Sequence, residues 1–275
     1  MGAVSKVILV GPGRAGTAVS LALVAAGHRV AGVLARRSDA ARDAAALLGA
    51  ESLGWDPPLP EADLLIVAVS DDAIPEVAAR LAPLAGASGG AVHLSGLAPV
   101  AALEPLGGGI PLGSFHPLQT LPTPEAGAAR LEGAWVAITA GDPALAERLW
   151  ALAHSIRARP FAVADDVKPL YHAAAAAAAN YPLAALEMAR RLFDAAGVPF
   201  EAARPLVAAV VDNAFDLGPA AALTGPIARG DVATVAAQRS AVASAAADLG
   251  EDFASFGRAV ARIAGRDEEL GEVLG

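Results

Sequence analysis

Three short segments bring together side chains able to move a proton. His93-Leu94-Ser95-Gly96 and Ser114-Phe115-His116-Pro117-Leu118-Gln119-Thr120 each close an apolar, β-branched run. Lys168-Pro169-Leu170-Tyr171-His172 opens a long Ala-rich stretch that carries Asn180 further on. In a helix, Lys168 and His172 share a face. Asn180 lies roughly 80° round from His172 at about 100° per residue, so one broad polar surface can hold all three. Such groups at the start of an otherwise Ala-rich, buried helix are hard to explain as solvation. Reduction of a carbonyl or imine needs a proton donor as hydride arrives, and Lys or His can supply it. Lys168, His116 and His172 are therefore the candidate acid–base groups. Ser95 and Asn180 are candidates for orienting a substrate, whereas His93, inside its run, reads as structural. Pro117 holds His116 extended and should end its strand. The competing readings are plain ones: an exposed first-turn lysine, a packed His172 and a satisfied structural His116.

A fourth segment runs from Gly218 through Leu223-Thr224-Gly225-Pro226-Ile227-Ala228-Arg229-Gly230-Asp231. Thr224 offers a hydroxyl, and Arg229 could clamp a carboxylate or phosphate with two parallel bonds. The same residues also suit a structured turn with Asp231 as a helix N-cap.

The elements that must position these groups begin at the N-terminus. Lys6 to Val10 is a strand-like run that feeds Gly11-Pro12-Gly13-Arg14-Ala15-Gly16 and then a periodic helix to Ala26. This is the dinucleotide fingerprint in its required strand–turn–helix context. Gly11 serves the tight turn, Gly13 the close approach of backbone to a pyrophosphate, and Gly16 the packing of helix on strand. Helix N–H groups from Arg14 and Ala15 onward would face the phosphates. The second strand, Val30 to Leu34, leads into Ala35-Arg36-Arg37-Ser38, where NAD-selective proteins place a carboxylate. Two guanidiniums and a hydroxyl suit a 2′-phosphate instead, so the expected cofactor is NADP(H), held by Arg36, Arg37 and Ser38. Surface pairing of those arginines with Asp39 or Asp43 is the alternative. Val69, ending the strand expected at Leu64 to Val69, and Ser70 after it complete the expected cofactor-binding set.

The first half alternates β-branched runs with helical patterns, which predicts an α/β fold with a doubly wound, mainly parallel sheet. Helices are expected over 39–48, 71–84 and 143–154, and further strands over 91–94, 112–115, 135–139 and 159–163. After Asp165 strand signals vanish. Helices are expected over 167–196, 200–217, 231–249 and 251–264, with a stop at Gly197-Val198-Pro199. The predicted organisation is a nucleotide-binding Rossmann domain over 1–164 and an all-helical substrate and dimerisation domain over 165–275, with catalysis in the cleft between them.

Composition bounds the function classes. A net charge of −9 and no basic run argue against a nucleic-acid partner. With no cysteine there is no disulfide or thiol chemistry. The start lacks a signal-peptide layout, and the apolar stretch 172–189 is broken by Asn180, Pro182 and Glu187, so no membrane association and a cytoplasmic location are expected. The five histidines are scattered without metal-ligand spacing, so no required metal is expected. No G-x-S-x-G elbow supports Ser-His-Asp hydrolysis.

Taken together, Ser95-Gly96, Ser114 to Thr120, Lys168-x-x-Tyr171-His172, Asn180 and Leu223 to Asp231 resemble a bacterial family. That family pairs a Rossmann-like domain with a helical C-terminal domain of unknown function. The resemblance spans about Lys6 to Glu251. It extends to ketopantoate reductase, pyrroline-carboxylate reductase, the β-hydroxyacid dehydrogenases and prephenate dehydrogenase. Hydroxyacid dehydrogenases and ketopantoate reductase carry a K-x-x-x-N pair with a catalytic Lys. Lys168 fits this, but His172 stands where Asn would be. Prephenate dehydrogenases place a Ser after one strand and a His-Pro after the next, as Ser95 and His116-Pro117 do. The resemblance implies an NADP(H)-dependent oxidoreductase acting on a small anionic carbonyl, imine or hydroxy acid, and a homodimer formed through the helical domain. The alternatives are a non-catalytic NADPH-sensing protein and a deazaflavin-dependent NADP reductase.

Overall fold

The computed structural model of the chain describes residues 4–56, 58–85 and 88–275. The order begins Lys6–Val10 (β1), Arg14–Ala25 (α1), Arg29–Leu34 (β2), Ser38–Leu48 (α2) and Glu51–Ser52 (β3). It continues with Leu64–Val67 (β4), Ile74–Leu81 (α3), Ala91–His93 (β5), Leu112–Leu118 (β6) and Pro124–Arg130 (α4). Trp135–Ala140 (β7), Pro143–Ser155 (α5) and Arg159–Ala162 (β8) complete the sheet-bearing part. The strands form one sheet in the order β3-β2-β1-β4-β5-β6-β7-β8. Every neighbouring pair is parallel except β6 and β7. Strand order reverses between β1 and β4, the switch point at which open α/β sheets bind ligands, and the glycine turn opens there.

Each strand alternates its side chains between faces. Val7 and Leu9 of β1 pack with Val19 and Leu23 of α1, while Ile8 and Val10 pack with Ile74 and Leu81 of α3. Both faces are covered, which is why β1 and β4 read as unbroken apolar runs. Burying each such side chain contributes about 1.5–3 kcal/mol.

Two boundaries differ from expectation. β6 runs through Pro117 to Leu118. β5 pairs only as far as Ser114, and beyond it β6 is paired on the β7 side alone, so the missing N–H of Pro117 can face the unpaired side. The helix expected over 71–84 starts as a 3-10 turn at Asp71–Ala73 and stops at Leu81, two residues before Pro83.

The remaining elements are Lys168–Ala179 (α6), Tyr181–Ala195 (α7), Ala203–Leu217 (α8), Pro219–Ala222 (α9), Pro226–Arg229 (α10), Val232–Ala245 (α11), Gly250–Ala264 (α12) and Asp267–Leu274 (α13). The single helix expected over 167–196 is two. Pro182 lacks the N–H that the ladder needs and its ring crowds the carbonyl four residues back, so the helix restarts after Asn180. The chain divides into two compact units, one ending at Ala177 and one beginning at Ala178. That division lies inside α6, later than the expected 164/165, because Lys168 and Tyr171 are bonded to residues of the sheet-bearing unit.

The second unit buries Val235, Ala261, Leu270 and Leu274 together. α7 buries no side chain fully and α8 only Ala203. Among the described residues, no helix is long and apolar enough to cross a membrane.

Candidate functional site

The glycine turn divides its three glycines between two jobs. Gly11 has φ +88, and its N–H donates to Leu34 O at 2.9 Å. A Cβ there would come within 2.7 Å of Ala68 O and of Val69 Cγ1. A Cβ on Gly16 would meet the Ala68 methyl at 2.6 Å. Both are required by the protein's own packing. A Cβ on Gly13 would meet nothing nearer than Ala68 O at 4.0 Å, so Gly13 keeps open a space that the fold itself does not fill. Into that space face the first N–H groups of α1, from Arg14, Ala15 and Gly16, which have no intrahelical acceptor. An open cradle lined by helix N–H groups fits the pyrophosphate of a dinucleotide.

At the exit of β2 the two arginines differ. Arg37 donates from Nε to Asp39 Oδ1 at 3.0 Å and forms an ion pair with the same carboxylate. That bond, with a second from the Ala40 N–H, holds Asp39 down at about 2. Arg36 is exposed, and among the described residues no carboxylate bridges it. Ser38 and Ser70 are exposed, and Ser70 makes no capping bond to the turn it precedes. Val69 lies half-buried against the turn.

At the carboxyl ends of β5 and β6 the structure gathers a denser cluster. His93 is fully buried. Its Nδ1 accepts from the Ser95 N–H at 3.2 Å, which puts the proton on Nε2, 3.3 Å from Pro99 O. Burial first, and the nearby Lys168 cation second, push His93 down to about 4. The Ser95 hydroxyl donates to Asp71 Oδ2 at 2.7 Å and accepts from the N–H groups of Leu97 (3.1 Å) and Ala98 (2.9 Å). One donor and two acceptor positions are then used, which is all that a hydroxyl has. Ser95 therefore builds the turn that carries Gly96.

His116 lies flat against Gly96. A Cβ on Gly96 would come within 2.7 Å of Cε1, 2.8 Å of Nε2 and 2.9 Å of Nδ1 of its ring. His116 Nδ1 is 2.7 Å from the Tyr171 hydroxyl, and Tyr171 packs edge-on against Phe161. His172, exposed on the next residue, has its ring centroid 6.3 Å from that of His116. Burial, with His172 as the second cause, pushes His116 down to about 4, and burial pushes Tyr171 up to about 12. At neutral pH the pair is an uncharged imidazole bonded to an intact phenol.

Lys168 is 2% exposed. Its Nζ lies 2.7 Å from Asp165 Oδ1 and donates to Ala98 O at 3.0 Å. Both oxygens of Asp165 accept from the Val100 N–H. Lys168 and Asp165 thus clamp the segment after β5 whose other end Ser95 folds.

The expected residues are gathered unevenly. Ser95, His116, Lys168 and His172 meet around one short segment of the first unit. Asn180 is exposed after α6, Thr224 is exposed between α9 and α10, and Arg229 ends α10, also exposed. Asp231 caps α11 through a bond from the Thr234 N–H at 3.0 Å. Sequence reasoning gives no role to Tyr171 or Asp71. Tyr171 shares a helical face with Lys168, a spacing that could mark it. Asp71 follows the carboxyl end of β4, where ligands gather, but reads in the sequence only as a helix start. Among the described residues no group of three or more His, Asp or Glu could hold a metal ion.

Residues 2–117 match the model of the Rossmann-like domain, and residues 134–259 match that of a domain of unknown function, DUF2520. No curated protein matches the chain in sequence. Among solved structures, a Bacteroides fragilis protein provisionally named an NADP oxidoreductase is 24% identical, with a TM-score of 0.80 over 94% of this chain and 98% of its own. A pyrroline-5-carboxylate reductase from Streptococcus pyogenes is 16% identical, with a TM-score of 0.64 over 98% and 99% of the two chains. An imine reductase from a Pseudomonas species is 20% identical, with a TM-score of 0.63 over 98% and 100%. At these identities the likeness is one of fold. The chain thus has the fold of Rossmann-type dehydrogenases and reductases, a Rossmann-like first part followed by a helical part that matches DUF2520.

Proposed function

We propose that this protein is an NADP(H)-dependent oxidoreductase acting on a small carbonyl, imine or hydroxy acid. The 2.7 Å bond between His116 and Tyr171, beside Gly96 at the sheet's ligand-binding edge, carries the reading. Arg14, Ala15 and Gly16 would hold the pyrophosphate and Arg36 a 2′-phosphate, and bound NADP(H) would supply the hydride. In reduction, the Tyr171 hydroxyl gives its proton to the developing alkoxide or amine. The His116 Nδ1–H replaces that proton, and Nε2 takes one up from solvent, so the pair ends uncharged. The Ser95 turn and the Lys168–Asp165 clamp keep the imidazole in place. Lys168, already bonded to a carboxylate and a carbonyl, acts here by positioning.

Single-turnover oxidation of NADPH against a panel of cyclic imines and 2-oxo acids tests this, with wild type, Tyr171→Phe and His116→Ala compared. Loss of one positioned proton donor should lower the chemical step about 10²–10⁴-fold with NADPH affinity kept. Full turnover in both variants would refute the mechanism.

The helical unit also supports pairing with a second copy. Leu206, Val210 and Leu217 form a stripe on α8 and are 62%, 58% and 61% exposed. A contiguous apolar stripe of this kind marks an interaction surface. Wild type should sediment as a dimer and a Leu206→Asp, Val210→Asp variant as a monomer. A monomeric wild type at tens of micromolar would overturn the assembly.

A further inference from the structure

Beyond the glycine turn and the arginine pair, one aromatic–cation stack near the nucleotide end has no role in the reading above. Trp55 follows β3, and its Nε1–H donates to Ala35 O at 2.8 Å. Ala35 is the residue immediately before Arg36 and Arg37, so the indole is tied to the backbone that presents them. The indole packs in the same apolar cluster as Leu53, Val69 and Val77. Over its ring, 4.0 Å from the centroid, lies the guanidinium carbon of Arg80, which reaches across from the last turn of α3. Arg80 is exposed, and among the described residues no carboxylate bridges it. A guanidinium on an indole is held by the ring's negative face and loses rotamer freedom while keeping its charge. Arg37 is in the opposite condition, its charge already answered by Asp39.

We propose that the second guanidinium of the 2′-phosphate site is Arg80, fixed there by Trp55, and that Arg37 serves chiefly to pair with Asp39 within its own turn. Arg36 and Arg80 then approach the phosphate from the β2 exit and from α3. Trp55 is the wall that sets their separation. The inference rests on the NADP(H) reading and adds to it the residues that discriminate the phosphorylated ribose.

The test is calorimetric titration of the full chain with 2′,5′-ADP and, separately, with ADP. Wild type should prefer 2′,5′-ADP. Arg80→Ala should weaken 2′,5′-ADP about tenfold, as loss of one charge-assisted bond does, and leave ADP within about twofold. Trp55→Phe, which keeps an aromatic face but loses the bond to Ala35, should fall between wild type and Arg80→Ala. Arg37→Ala should change the preference by less than about threefold. Unchanged circular dichroism would show each variant folded. An Arg80→Ala variant that keeps the full preference, or an Arg37→Ala variant that loses it, overturns this inference alone. Equal wild-type affinity for the two ligands overturns the NADP(H) reading, and the inference with it.

Discussion

Replacing Lys168 by Met separates a chemical role from a positioning one, because the structure assigns the ammonium two partners that have nothing to do with a substrate. Met keeps most of the buried stem and removes the bonds to Asp165 and Ala98 O. Asp165 keeps its bond from the Val100 N–H and is 39% exposed in its side chain, so its carboxylate is partly rehydrated. Ala98 O loses its cationic donor in a buried place. The lost charged bond and the unsatisfied carbonyl outweigh the better burial of an apolar thioether. Together they should destabilise the sheet-bearing unit by about 2–4 kcal/mol. For a unit of this size that is a fall of roughly 5–12 °C in its melting transition. Adding Asp165→Asn should cost less than the sum of the single changes, with a coupling of about 1–3 kcal/mol. Urea titration at pH 7, followed by near-ultraviolet circular dichroism and read at the first unit's transition, measures all of this. If Lys168→Met shifts stability by less than about 0.5 kcal/mol and still abolishes turnover, the ammonium works on the substrate and the clamp argument is wrong.

Two other outcomes rest on the same geometry. His93 and His116 sit at about 4 in the folded chain against an ordinary 6.5, so on acidification the unfolded chain takes up their protons first. The histidines' share of the stability should therefore fall from about pH 6.5 and level off below about pH 4, by roughly 3 kcal/mol for His93 alone. Urea midpoints unchanged between pH 7 and 4.5 would contradict this. Gly96→Ala puts a methyl within 2.9 Å of three ring atoms of His116, so the ring must withdraw by several tenths of an ångström, at about 1–3 kcal/mol. The Nδ1 resonance should lose the signature of its bond to Tyr171. An identical imidazole spectrum would show that the ring does not rest on Gly96.

What is legible in the sequence is what local chemistry decides. The run from Lys6 to Gly16 predicts its own strand, turn and helix, because Gly11 and Gly16 answer to neighbours a few residues away or beside the adjoining strand, while Gly13 keeps its space open. The break at Asn180 is equally local, since Pro182 cannot continue a ladder, but the helix preference of the alanine tract masks it. The orientation of β7 is not legible. Strand direction depends on where the connection through α4 returns the chain, and composition says nothing of that. The site divides in the same way. Ser95, His116 and Lys168 are identified by type and by their place at strand or helix ends. Some of their partners are local, Asp165 standing three residues before Lys168, but Ala98 is 70 residues from Lys168, Asp71 24 from Ser95 and His116 55 from Tyr171, and no spacing rule reaches so far. So the sequence does not show the carbonyl that Lys168 clamps, and it marks Tyr171 only by the helical face shared with Lys168, not by the bond to His116.

The choice of acid follows from how burial acts on each group. Desolvation disfavours whichever form is charged, so it lowers a histidine and raises a tyrosine. Applied to a bonded pair, the two effects act together. Between about pH 4 and pH 12 both His116 and Tyr171 stay neutral, and the pair can release one proton and regain another without a charged resting state. An ammonium donor in the position of Lys168 would have to become an amine beside Asp165, leaving a carboxylate without its cation at the moment hydride arrives. On the proposed reading the phenol is the donor and the ammonium the scaffold. In the oxidation direction the imidazole must accept the proton, so the acid limb of that pH–rate profile belongs to His116, falling away near pH 4, and in Lys168→Met that limb should stay within about half a unit while the rate falls through lost alignment. A limb that vanishes together with Lys168 would reverse the assignment.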